Sequence, residues 1–356
     1  MKKTLTLLCC VMAIGLAFGQ KVAKNEVKAL QAFLAQPAAK GGVNAEALKI
    51  TDLANPGSWE GVTVTDGHVS AIKWNHKDLS GTLDLSGFTA LVSLDVSDNK
   101  IQSLSLTDIP LLNNLNASRN ALTQAILVKL PQLQKVKLNR NHLSAIDLSG
   151  VPFLTSLNIA QNQIPALDVS NAVNLKYLNC MSNRLEQLTL TGCQALKTLY
   201  AGYNEISEVI TSGLTALENL NLNSNRIRKL YIQDLPSLVT LFISDNHLSE
   251  MGLNNLPALN EVWAPYNDME AFGLTDCNNI AIINLAWNDL ETINLSGLNF
   301  LQRLNVSNNE LNTVNVSFCP MLTYLNLSDN DLLNSVMTEG DTNLRQVVGD
   351  WSDFDM

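Results

Sequence analysis

The sequence predicts a curved right-handed β-solenoid, with a parallel sheet on its concave side, an extended or irregular convex side, and little helix outside an amino-terminal cap. Three observations predict it. Leucine or isoleucine recurs every 21 residues without an insertion, at Leu91, Leu112, Leu133, Leu154, Leu175, Leu196, Leu217, Leu238, Leu259, Ile280, Leu301 and Leu322. Each unit carries an L-x-L stretch that alternates apolar and polar residues, as a half-buried strand requires. The ninth position of all twelve units is asparagine, from Asn99 and Asn120 to Asn309 and Asn330. A coil of this length cannot bury its own apolar face, whereas stacked coils share one continuous core.

The same template explains an unusual composition. Leucine fills 61 of 356 positions and asparagine 42, while only 16% of residues are charged, against about 25% in ordinary globular proteins. The surface must therefore stay hydrated largely through neutral polar groups. A hydrophobic content of 46% excludes a disordered chain. A formal charge of −10 argues against nucleic acid as a partner and against an electrostatic anchor on anionic lipid.

Residues 1–19 read as a cleaved export signal. Lys2 and Lys3 supply the charged start, Leu5 to Leu16 the apolar run, and Ala17-Phe18-Gly19 a small-x-small site before Gln20. The expected location is secreted, periplasmic or cell-surface, with no transmembrane segment. Residues 20–68 are expected to form an amino-terminal cap, with Val27, Leu30, Phe33 and Leu34 on one face of a short helix. The repeat array is expected over 69–333. It begins with a looser unit at Val69 whose asparagine position holds Lys77. Within each unit the asparagine side chain is placed to satisfy backbone groups of its turn and to bond to the next coil, forming a ladder. A second apolar-polar-apolar stretch, such as Ala166-Leu167-Asp168-Val169, predicts extended structure on the convex side. Six prolines at position 20 of their units disfavour helix there. Residues 334–356 are expected to form a carboxy-terminal cap, with Trp351 and Phe354 available to close the last coil.

These residues resemble the leucine-rich repeat family, in particular its short 21-residue bacterial class, over roughly 69–333. The segment Trp59-Glu60-Gly61-Val62-Thr63, followed by Leu79-Ser80-Gly81, resembles the amino-terminal cap of plant-type members. That cap usually contains a cysteine pair, which is missing here, so the cap would hold by packing alone. The resemblance implies a binding protein that grips its ligand on the concave face.

A repeat supplies its own control: the consensus residue is scaffold, and a departure needs a reason. Position 5 faces the concave side and is usually asparagine, yet it becomes Tyr200, Phe242 and Trp263. Position 8 adds Tyr203, Tyr266 and Trp287, and position 3 adds Tyr177. Large, stiff, amphipathic side chains gathered on an exposed face are what binding surfaces use. The competing explanation is that they stack on one another and stiffen the sheet. Lys137 and Arg140 belong to a basic cluster with Arg119, Lys135 and His142, while the far end is acidic. The resulting expectation is a non-enzymatic, monomeric binding protein for a protein or peptide ligand, contacted by Tyr177, Tyr200, Tyr203, Phe242, Trp263, Tyr266, Trp287, Lys137 and Arg140. The alternatives are a glycan stacked on the aromatics, or self-association or adhesion through the same patch.

No constellation for catalysis converges, and no cofactor is implied. His142 and His247 occupy equivalent positions five coils apart, on the order of 24 Å. His68, His76 and Asp78 show no ligand spacing on a common face, so no metal is expected. Cys180, Cys193, Cys277 and Cys319 fall on core positions and read as apolar fillers.

Overall fold

A computed structural model describes residues 21–349 apart from Asn171; the export signal expected at 1–19 and the closing residues Trp351 and Phe354 lie outside the described residues. The architecture is a β-solenoid built on a 15-stranded sheet. Its first two strands, β1 (Val62–Thr65) and β2 (His68–Lys73), form an antiparallel hairpin. From β2 onward every pairing is parallel and shifted by one coil, as in Leu199 beside Leu220 and Leu220 beside Leu241. The leucines at positions 1, 4 and 6 and the aliphatics at position 11 point inward, and nearly all are fully buried in one continuous core.

The asparagine column is what holds successive coils in register on the turn side. Asn225 is representative: its Nδ2 donates to the carbonyl oxygens of Leu222 (2.9 Å) in its own coil and Ala201 (3.1 Å) in the preceding one. Its Oδ1 accepts the Ile206 N–H of that preceding coil at 3.1 Å. Each position-6 carbonyl from Val96 to Val306 thus receives two amide donors, one from its own coil and one from the next; Ala201 accepts from both Asn204 and Asn225. The Ile206 N–H lies buried in the turn region, and without the asparagine oxygen it would lack its partner.

The convex side is extended but interrupted. Three-stranded blocks occur at Ser80–Asp84, Lys100–Thr107 and Gln124–Val128, at Tyr231–Gln233, Glu250–Asn254 and Ala271–Thr275, and at Thr292–Asn294, Thr313–Asn315 and Ser335–Met337. A two-stranded block joins Ala166–Asp168 and Gln187–Thr189. The outer ladder therefore breaks at the coils containing 145–149 and 208–212, and again between 275 and 292. Strand pairing demands a fixed spacing of about 4.8 Å, and a curved stack is longer along its outer arc. The inner sheet can meet that spacing throughout; the outer one cannot. No helix occurs among the described residues after Ser58.

At the amino-terminal end, α1 (Lys24–Leu34) lays Leu30, Phe33 and Leu34 over the first coil. Phe33 stacks on Trp74 at 6.2 Å, and Trp59 lies 6.4 Å from the same indole, so three aromatic rings pack together in the cap. Glu26, 1% exposed, accepts the Val69 N–H at 2.8 Å and contacts His68 Nδ1 at 2.9 Å, which satisfies the edge of β2. At the other end, coil stacking runs past 333. Gln346–Val348 pairs with Tyr324–Asn326 in the inner sheet, displaced by 22 residues instead of 21. A one-residue insertion conceals this additional coil from the strict period.

Candidate ligand-binding face

Position 5 lies between two inward-facing residues of the same short strand, so its side chain stands on the concave sheet. The aromatics there and at position 3 pair across adjacent coils. Tyr177 meets Tyr200 edge to face at 6.0 Å, and Phe242 stacks on Trp263 at 6.3 Å with an interplanar angle of 14°. All four are half-buried. Glu261, two residues before Trp263 on the same face, accepts its indole N–H at 3.1 Å and sets the ring orientation. Ring contacts therefore do stiffen this part of the sheet, and in the stacked Phe242–Trp263 pair one face of each ring is covered.

Position 8 behaves differently. In all twelve units its residue holds a left-handed backbone, with φ between 54° and 59°. That conformation suits glycine, asparagine and aspartate and costs other residues roughly 1 kcal/mol. Tyr203, Tyr266 and Trp287 occupy it nonetheless and are 57%, 57% and 51% exposed. Tyr266 and Trp287 stack at 5.6 Å, within 17° of parallel. Neither the local backbone nor the core accounts for aromatic side chains here. The left-handed turn was not legible in the sequence, because Gln161, Ser182 and Arg119 occupy the same position.

The predicted basic residues sit elsewhere. Lys137 is exposed on the concave sheet two coils before Tyr177. Arg140 is on the rim, where its Nε donates to Gln161 Oε1 at 2.8 Å. Lys137 and Arg140 thus flank the aromatic run and do not enter it.

The remaining chemistry-bearing residues are dispersed. His68 contacts Glu26 and His76 contacts Asp98 (3.5 Å), so the two histidines of the first coil have separate partners. Burial pushes the Cys180 thiol up to about 12; burial, with a smaller contribution from the Asp168 charge, pushes Cys193 up to about 11. Such thiols are poor nucleophiles. On the convex side the segment 207–213 borders an open groove of about 780 Å³ lined by Ile210, Arg228, Lys229 and Asp234, away from the aromatic columns.

No family model matches the sequence, and no curated protein sequence matches it. Solved structures do. YopM from Yersinia pestis, a leucine-rich effector protein, superposes with a TM-score of 0.58 at 21% identity, over 78% of this chain and 82% of that one. The chain has the leucine-rich repeat fold. An internalin from Listeria monocytogenes matches with a TM-score of 0.55 at 18% identity, over 88% of this chain and 94% of its own. A leucine-rich repeat protein of Leptospira interrogans gives 0.51 at 23% identity over 69% of this chain, which spans 62% of that protein's structure. The leucine-rich repeat geometry shared with these structures places positions 3 and 5 on the concave sheet and position 8 at its edge.

Proposed function

We propose that this leucine-rich repeat protein is an extracytoplasmic, non-enzymatic binding protein that takes a protein or peptide ligand across its concave face and the adjoining rim. The observation that carries the reading is the exposure of Tyr203, Tyr266 and Trp287 on left-handed turns that disfavour them. Large, stiff, amphipathic side chains held more than half exposed along one rim are the surface that binding sites use. The half-buried pairs Tyr177–Tyr200 and Phe242–Trp263 continue the surface onto the sheet. Export is read from residues 1–19, and no helix among the described residues is long and apolar enough to cross a membrane. A peptide suits the site better than a glycan, since Phe242 and Trp263 cover each other's faces and a carboxylate holds the indole N–H.

The test is a random dodecapeptide display selection run beside a glycan array, on wild type, Phe242→Ala/Trp263→Ala and Tyr266→Ala/Trp287→Ala. Selected peptides are expected to lose at least tenfold in affinity on both double variants, with urea midpoints little changed for the rim pair. Glycans bound with that same aromatic dependence, or peptides indifferent to all four rings, would overturn the proposal.

A further inference from the structure

Positions 8 and 10 flank the buried asparagine and both project outward, forming two parallel columns along the rim. The columns change character along the array. In coils 2–7 they hold Arg119, Arg140, Arg184 and Arg226 against one carboxylate, Glu205, which pairs with Arg226 at 2.8 Å. In coils 8–12 they hold Asp245, Asp268, Asp289, Glu310, Asp329 and Asp331, with no lysine or arginine at all. All six carboxylates are exposed, and Asp268 and Asp289 stand two positions along the turn from Tyr266 and Trp287 in the same two coils. Among the described residues, the only ion pair in this strip joins Asp268 to His247 at 3.3 Å. The main chain fixes the spacing, because the Asp268, Asp289 and Glu310 N–H groups each donate to the preceding coil at 3.0–3.1 Å.

Like charges held in register repel, so a scaffold of otherwise neutral composition gains nothing in stability from this run. Two exposed rings beside carboxylates that pair with no lysine or arginine match one ligand chemistry, a guanidinium or ammonium group that stacks on the ring and pairs with the acid. The chain already makes such a contact on its concave side, where the Arg303 guanidinium carbon lies 4.7 Å from the Tyr324 ring centroid in the next coil. We infer that the rim of coils 8–12 binds an extended polypeptide segment bearing several arginines or lysines, with Tyr266 and Trp287 as its aromatic floor and Asp268, Asp289 and Glu310 as its ion-pairing wall. This inference rests on the reading of the aromatic columns as a ligand surface. Four coil steps at about 4.8 Å span roughly 19 Å, the length of about six residues of extended chain.

The probe is a fluorescein-labelled decapeptide of alternating arginine and serine, compared with its glutamine-serine counterpart by anisotropy at low and high salt. The arginine peptide is expected to bind at least tenfold more tightly and to weaken as salt rises. The variant Asp268→Asn/Asp289→Asn/Glu310→Gln, whose changes are all on the surface, should lose tenfold or more with an unchanged urea midpoint. Tyr266→Ala/Trp287→Ala should lose at least fivefold. Equal binding of the two peptides, or indifference to the three amides, overturns the inference. If display-selected peptides need Tyr266 and Trp287 yet are not enriched in basic residues, the charge assignment falls and the parent reading stands. If the arginine peptide needs the carboxylates and ignores Tyr266 and Trp287, the aromatic floor assigned here falls, while the parent reading falls only if display-selected peptides also ignore all four rings.

Discussion

Replacing Asn225 by alanine isolates the asparagine ladder in the middle of the array. The side chain is 7% exposed, and its removal takes away the sole acceptor recorded for the Ile206 N–H. The three carbonyls it serves are less affected, because Ala201 keeps Asn204, Leu222 keeps Asn246 and Asn223 keeps the Tyr203 N–H as donors. One orphaned buried N–H costs about 1–3 kcal/mol and the two shorter lost bonds, to Leu222 and Ala201, about 1 kcal/mol each, so the expected loss is about 4 kcal/mol. Asn225→Asp keeps the acceptor but turns a second oxygen toward two carbonyls at 2.9 and 3.1 Å. A carboxylate cannot donate there, whereas its protonated form can. The folded-state pKa of that aspartate is therefore raised, and stability relative to wild type should recover as pH falls. Urea unfolding followed by circular dichroism measures both, with Asn221→Ala as control, since Asn221 is half-exposed on the sheet and accepts one bond, from the Asn223 N–H. A loss for Asn225→Ala no larger than that of the control would refute the ladder as the element that joins the coils.

Two further outcomes are expected. Glu26→Ala should destabilise the cap by about 2–3 kcal/mol, because it leaves a buried strand N–H and a histidine without their acceptor, while Glu26→Gln, which retains one acceptor oxygen, should cost less by differential scanning fluorimetry. The folded-state pKa of Cys180, raised from 9.0 to about 12 by burial, lies above its unfolded value. Its contribution is therefore fully present below pH 9 and is lost as pH rises toward 12, so Cys180→Ala should flatten the alkaline decline in the urea midpoint; an identical slope would remove the thiol from the account.

The period of 21 was enough to predict the concave strand and the inward-facing residues at positions 1, 4 and 6 of every coil from Leu91 to Leu322, because each coil obeys the same local physics. The reach of the asparagine amide to a second coil followed from its place in the turn, but its direction did not: the bonds run to the preceding coil and not to the next. What escaped the sequence depends on relations between coils or on backbone shape. The strict period hid the coil at 344–348, which is displaced by one residue. The mutual pairing of Phe242 with Trp263 was visible as adjacency, but the half-burial that results was not. Position 8 could be read as exposed, yet only the left-handed turn separates Tyr266 and Trp287, whose presence is costly, from the sheet aromatics, whose presence stiffens. Ile146 and Leu148 have the same pattern as Leu188 and Leu190, and still one segment leaves the outer ladder while the other joins it. Curvature is a property of the whole stack, so no single unit encodes where the outer pairing gives way.

That interrupted outer layer has a mechanical consequence. The inner sheet and the asparagine ladder form a continuous, nearly inextensible web along one edge, while the opposite edge is divided into short hydrogen-bonded plates with joints near 145–149, 208–212 and 276–291. A beam built this way resists stretching but bends where the plates meet. The joints fall about every three coils, so a ligand pressing on the rim can change the radius of the arc by small rotations at a few places, without breaking a single bond of the face it touches.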